Sequence, residues 1–163
     1  KVILNGNGGY DEDRIYGIRV INLGVMLASI DISETDLRWT DLSDANLIGT
    51  NLTGCNLSNA NFSRTILYQA KLNGAKLEGT RFFYGNLEVA SPRIPDRSPD
   101  YITGEFSGAV VEDVDFTNVR QMSEAQREYC CAWCGETSRQ TIPGGCQGIP
   151  NRLLVSSARL FDE

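Results

Sequence analysis

Histidine is missing from all 163 residues. Its absence removes the commonest general base, the usual Ser and Cys triads, and every imidazole-ligated metal site. Positive charge is also scarce: 15 Lys and Arg stand against 21 Asp and Glu, a formal charge of -6. No basic footprint for nucleic-acid phosphates can therefore be assigned. No apolar run approaches the roughly 18 residues of a membrane span. There is no initiator Met, and the opening at Lys1 fits a mature or trimmed form. What is present, 41% hydrophobic and 22% charged residues, is ordinary for one globular domain with a real core.

Internal repetition organises the chain. A large apolar residue recurs every fifth position from Leu27 through Ile32, Leu37, Leu42, Leu47, Leu52, Leu57, Phe62, Leu67, Leu72, Leu77 and Phe82 to Leu87. Two residues before each stands a mostly small one, such as Ala45, Thr50, Cys55, Ala60 or Thr65, and the residue between is usually polar. Periods of 3.6 or 2 would scatter these leucines over every face. A chain that turns after every fifth residue would not. Each unit then supplies a short side and a corner, sends one large and one small residue inward, and depends on stacking for burial.

This pattern resembles the pentapeptide-repeat family, Ala-(Asp/Asn)-Leu-X-X, over residues 25–89 and again over 104–118 at Phe106, Val111 and Phe116. The resemblance implies an all-β solenoid: a right-handed, four-sided parallel β-helix with four units per coil. Residues 20 apart then stack at about 4.8 Å. Leu27, Leu47, Leu67 and Leu87 form one expected ladder, and Phe62 lies next to Phe82.

Residues 90–103 break the period and hold three of the five prolines, so they are expected to leave the stack as a loop. Both ends of such a helix need covers. Residues 1–24 read as an irregular first coil. Ser123, Glu124, Ala125 and Gln126 form a capping-box signature. Met122, Ala125, Tyr129, Ala132 and Trp133 follow at helical spacing, and Gly135 is placed to end the helix. A helical, Cys-bearing cap over 122–163 is the expectation; residues 153–161 are helix or strand without a period to decide. The glycine-rich stretch Asn5 to Gly9 reads as a turn rather than a phosphate loop, because no Lys-Ser/Thr follows. Asp11, Glu12 and Asp13 read as a solvated turn.

Cys55 takes the small inward position of its unit and reads as a structural thiol. Cys130, Cys131, Cys134 and Cys146 fit zinc poorly, with one CxxC arm and no His. A redox Cys131–Cys134 site would lie at the wrong helix end for an activated thiolate. A disulfide joining the helix to Cys146 is preferred, with free thiols as the alternative. The arrangement resembles cyanobacterial and plant thylakoid-lumen members of the family, where a helix Glu-Ala-Gln-x-x-Tyr-x-Cys pairs with a later Cys. That resemblance implies Cys131 with Cys146. Cys130 and Cys134 depart from the pattern, which keeps Cys134 with Cys146 open as the alternative pair.

Charge along the shaft changes in stages: Asp31, Asn51, Lys71; Asp36, Asn56, Lys76; Asp41, Asn61, Arg81. Some family members resemble B-DNA and bind DNA gyrase, which needs a sustained anionic surface. Here only the first repeat coil offers one. The expected function is therefore a non-catalytic interaction or scaffold module for an unknown protein, with gyrase-binding DNA mimicry as the alternative. No enzyme, cofactor, metal, nucleic acid or membrane is expected, since no constellation of carboxylates or activated thiols stands out. A monomer in an oxidising compartment, thylakoid lumen or periplasm, is expected, with the cytoplasm as alternative. The candidate partner surface joins the loop residues Arg93, Ile94, Arg97, Tyr101 and Ile102 to Phe83 and Tyr84, read as exposed.

Overall fold

A computed structural model describes residues 5–11, 14–17 and 27–153. From Asp31 onward the repeats form coils whose sides are single parallel bridges 20 residues apart: Asp31 with Asn51, Asp36 with Asn56, Asp41 with Asn61 and Asn46 with Ile66. Four bridges per 20 residues make a four-sided β-helix solenoid. Hydrogen bonds run from coil to coil, as in Leu47 N to Ile66 O (2.8 Å) and Asn51 N to Ile30 O (2.9 Å).

From Asp31 to Asn61 the Asp or Asn before each large apolar residue turns the corner. Its Oδ1 accepts the N–H two residues on, from Ser33 to Asp31, Ile48 to Asn46, Thr53 to Asn51 and Ser63 to Asn61. The small inward position serves hydrogen bonding as well as packing. Thr65 and Thr80 hydroxyls donate to Leu42 O (2.7 Å) and Leu57 O (2.8 Å), each 23 residues back, and Cys55 Sγ reaches Ile32 O in the same way. The interior is dry: Leu37, Leu42, Leu47, Leu52, Leu57, Phe62, Leu67, Leu72 and Leu77 have no exposed surface.

The ladder departs from the sequence expectation after Phe82. Ile66 pairs with Val110, Lys71 with Asp115 and Lys76 with Arg120, steps of 44 residues, 24 more than one coil. The rung above Leu67 is therefore Val111 and not Leu87, which is only half-buried. Phe106 does not resume the repeat either; it is half-buried at a corner with φ 56°. Val111 and Phe116 do return to the core. The cause lies in the residues that would share a coil with Leu87. The next three large positions are Pro92, Arg97 and Ile102. Proline has no N–H for the ladder, and a guanidinium cannot enter the apolar interior unpaired. The chain omits that coil, and the excursion closes on itself through a bridge between Pro92 and Gly108.

Asn5–Asp11 (β1) and Arg14–Gly17 (β2) form an antiparallel pair. The described part of residues 1–24 is thus not an irregular parallel coil. Asn5 to Gly9 lies within β1 and is not a turn; Asn5 pairs with Gly17 of β2, and the register shifts between Asn5 and Tyr10. Glu12, Asp13 and residues 18–26 lie outside the described residues, as does the chain beyond Leu153.

Helix α1, Glu124–Trp133, starts at the expected capping box: Ser123 Oγ accepts from Gln126 N (3.2 Å) and Gln126 Oε1 from Ser123 N (2.7 Å). It ends before Gly135, whose φ is 86°. Its inner face is rotated from the expected stripe. Ala125 is exposed, while Gln126, Tyr129, Cys130 and Cys131 are buried. The rotation follows from Gln126, whose Nε2 donates to Thr80 O (2.7 Å) and Leu77 O (2.8 Å) on the last full coil. These are the two carbonyls that a further coil would satisfy, as Arg81 N does for Ala60 O and the Thr80 hydroxyl for Leu57 O. Tyr129 lies fully buried alongside, donating to Ala109 O (2.7 Å). Gly108 permits that approach, since a Cβ there would lie 2.0 Å from the Tyr129 hydroxyl. A short helix α2, Glu136–Arg139, follows.

Candidate interaction surface

The excursion's tip is built from turn chemistry. Asp100 Oδ1 accepts Ile102 N (2.9 Å) and Thr103 N (3.1 Å), and Gly104 N donates to Asp100 O (2.8 Å). The two backbone donors hold the Asp100 carboxyl below the usual aspartate range. Its folded pKa is depressed, so its contribution to the tip is present above the ordinary carboxylate range and is lost as pH falls through the lowered value. Exchange of the Ile102 and Thr103 amides is expected to rise, relative to core amides, only in that acidic window, as hydrogen exchange by NMR would show. The tip is also fastened to the coil: Asn86 N bonds Thr103 O (3.0 Å), and a Cβ on Gly85, at φ 74°, would lie 2.3 Å from the Thr103 backbone.

Against this fixed backbone Ile102 is 89% exposed and Tyr101 51%. Tyr101 packs edge-on to Tyr84 (4.9 Å), and Arg81 lies 4.2 Å over the Tyr84 ring. Arg81, Tyr84, Tyr101 and Ile102 thus adjoin one another. The other candidate residues lie differently. Phe83 is half-buried and stacks on Tyr129 at 4.9 Å, so it is a packing residue rather than an exposed one. Tyr84 is half-buried between Arg81 and Tyr101. Arg93 is engaged with Arg64 O (3.2 Å) and Asp44 (3.7 Å). Arg97 lies 5.9 Å from the Phe106 ring, and Ile94 is 43% exposed at a groove of about 240 Å3 lined also by Pro92, Phe106, Trp133 and Leu153. Sequence reading missed Arg81 as a member of the tyrosine group. Its only signal was its place at the last bridge before the excursion.

Among the described residues no group of three or more His, Cys, Asp and Glu could hold a metal ion, and no helix is long and apolar enough to cross a membrane. Burial pushes the Cys55 thiol up to about 11 and raises Cys130 and Cys134 as well, the opposite of nucleophile activation.

Cys131 and Cys146 form a disulfide with a Cα separation of 5.5 Å, and Cys55, Cys130 and Cys134 are buried thiols. Arg139, which no periodicity singled out, holds the same region by donating to Cys131 O (2.7 Å), Cys146 O (3.1 Å) and Ile149 O (2.6 Å). The bond closes a loop of 15 residues. Reduction is expected to lower stability by about 3 kcal/mol through the freedom returned to that loop. Paired denaturant melts with and without reductant check this.

The outer charge columns also change with the omitted coil. Asp115, not a base, adjoins Lys71, while Lys76 and Arg120 are bridge partners.

Eight copies of the family profile described as pentapeptide repeats match this sequence, over residues 27–59 and 45–82. Residues 27–82 of the chain are pentapeptide repeats. The matched span is the regular stack below the excursion. No curated protein matches. A solved structure of a pentapeptide repeat protein from the Arabidopsis thaliana thylakoid lumen is similar at 21% identity and a TM-score of 0.34, covering 71% of this chain and 85% of that one. Beyond its pentapeptide repeats the chain has an excursion and a disulfide-tied C-terminal region.

Proposed function

We propose that this pentapeptide-repeat protein is a non-catalytic interaction or scaffold module that works as a monomer in an oxidising compartment, the thylakoid lumen or periplasm. Its protein partner docks on the excursion. One observation carries the reading: Ile102 is 89% exposed on a backbone fixed by Asp100, Gly85 and Gly104. A large apolar side chain presented on an ordered turn loses little conformational entropy on binding and is suited to an apolar pocket. Tyr101 adds a half-exposed aromatic beside it. The stacked coils are a right-handed support, and α1 serves as the terminal cap that occupies carbonyls of the last full coil. The oxidising compartment is supported by the Cys131–Cys146 bond. The gyrase-binding alternative is disfavoured by Lys76 beside Arg120, which interrupts any anionic row at the upper coils.

Affinity capture with the whole protein and with Ile102→Asp tests the proposal. The variant should keep the circular dichroism and melting behaviour of the parent, because Ile102 supports nothing beneath it. It should recover at least about tenfold less of any partner, the weight of one anchoring side chain. Equal recovery by the folded variant would move the site elsewhere.

A further inference from the structure

Four of the five cysteines lie in the C-terminal region, yet only two are bonded. Cys134 follows Cys131 by three residues, so the two side chains share one side of the last turn of α1. Cys130 adjoins Cys131 in sequence but diverges from it by about 100° around the helix. Cys134 is the C-cap residue, and the chain turns away at Gly135 with φ 86°. That terminal turn can loosen without breaking a longer helical ladder. Arg139 places its guanidinium on the carbonyls of both bonded cysteines, and its charge also acts on Cys134. Three sulfurs and one cation are therefore gathered at a helix end.

We propose that Cys131, Cys134 and Cys146 form an exchange centre in which Cys134 displaces Cys146 from Cys131 and frees the segment after α2 from the helix. The Cys134 thiol gives up its proton, and its Sγ attacks the Cys131 Sγ. The Cys131–Cys134 bond forms as the Cys131–Cys146 bond breaks, and its electron pair leaves on Cys146, which takes up a proton. One disulfide and the same number of thiols stand before and after, so no oxidant or reductant is consumed. Burial keeps the Cys134 thiol protonated in the closed structure, so exchange belongs to moments when the last turn opens. The backbone oxygen of Arg139 lies 3.7 Å from the sulfur that leaves. Release removes the covalent tie at Cys146 and leaves the packing of Ile142 and Ile149 and hydrogen bonds such as those from Arg127 to Gly145 O and Arg139 to Ile149 O. This switch is independent of the docking site proposed above.

The test is linkage mapping of the oxidised full-length protein held with a substoichiometric amount of 2-mercaptoethanol, then quenched in acid, unfolded, alkylated and digested. A second isomer is expected, with Cys131 joined to Cys134 and Cys146 alkylated. Cys134→Ser should abolish it and slow the appearance of free Cys146 by about tenfold or more, since an intramolecular thiol is replaced by a dilute external one. Cys130→Ser should leave the exchange unchanged, and Cys146→Ser should contain the Cys131–Cys134 bond. The proposal is overturned if the parent protein yields only the original linkage and fully reduced chain, with Cys131 and Cys146 becoming free together. It is equally overturned if Cys130 takes the place of Cys134. The parent chain alone decides between these results, so a variant that fails to fold does not obscure them.

Discussion

Replacing Phe62 with alanine is expected to lower the unfolding free energy by about 3 to 5 kcal/mol. The ring has no exposed surface and meets Phe82 of the next coil at 5.7 Å, tilted by 53°. In most cores the neighbours of a truncated side chain relax into part of the space. Here the walls are backbone held on both sides: Phe62 N bonds Arg81 O (2.7 Å), Asn61 N bonds Thr40 O (2.9 Å) and Thr65 N bonds Phe62 O (3.0 Å). Moving one coil inward would strain the bridges above and below it. The cavity therefore stays open, and the cost belongs at the full transfer-plus-cavity figure. Phe62→Leu, which restores the residue of most other rungs, should lose only about 1 to 2 kcal/mol. Urea melts with an unchanged slope would report both. A loss below about 1 kcal/mol for the alanine variant would show that the ring does not fill the interior.

The five-residue frame was legible because every unit repeats its large rung, with a mostly small residue two positions before it and, from Asp31 to Asn61, a corner amide or carboxylate between them. The end of the regular stack was not legible position by position. Leu87 satisfies the local pattern, and only Pro92, Arg97 and Ile102 taken together show that its coil cannot close. The skipped coil then moves Val111 above Leu67, 44 residues on, which no fixed period predicts. Phe83 was misread for a related reason. It follows the inward Phe82, so the alternation of the coil sends it outward, but Tyr129, far along the chain, covers it. That Cys131 is the partner of Cys146 was readable only through a family resemblance. The guanidinium that supports the disulfide, Arg139, had no pattern of its own.

Gln126 carries the other large expected effect, because its carboxamide replaces donors that an additional coil would have supplied. Gln126→Leu keeps the volume of the side chain and removes its hydrogen bonds. Thr80 O then has no donor among the described residues, Leu77 O keeps only Thr80 N (3.0 Å), and Ser123 N loses its partner in the capping box. Buried acceptors left without donors cost about 1 to 3 kcal/mol each, so a loss of about 2 to 4 kcal/mol is expected. Gln126→Glu should be worse near neutral pH, since it would aim a carboxylate at two carbonyl oxygens. Ala125→Leu, one position away and exposed, should change stability by less than about 0.5 kcal/mol. The contrast separates the observed inner face of α1 from the face that an apolar stripe through Ala125 would present. Hydrogen exchange should localise the damage in Gln126→Leu to α1 and the coil ending at Phe82, leaving the amides of the lower coils protected. If Gln126→Leu were neutral while Ala125→Leu destabilised, α1 would have to lie on the solenoid by its other face.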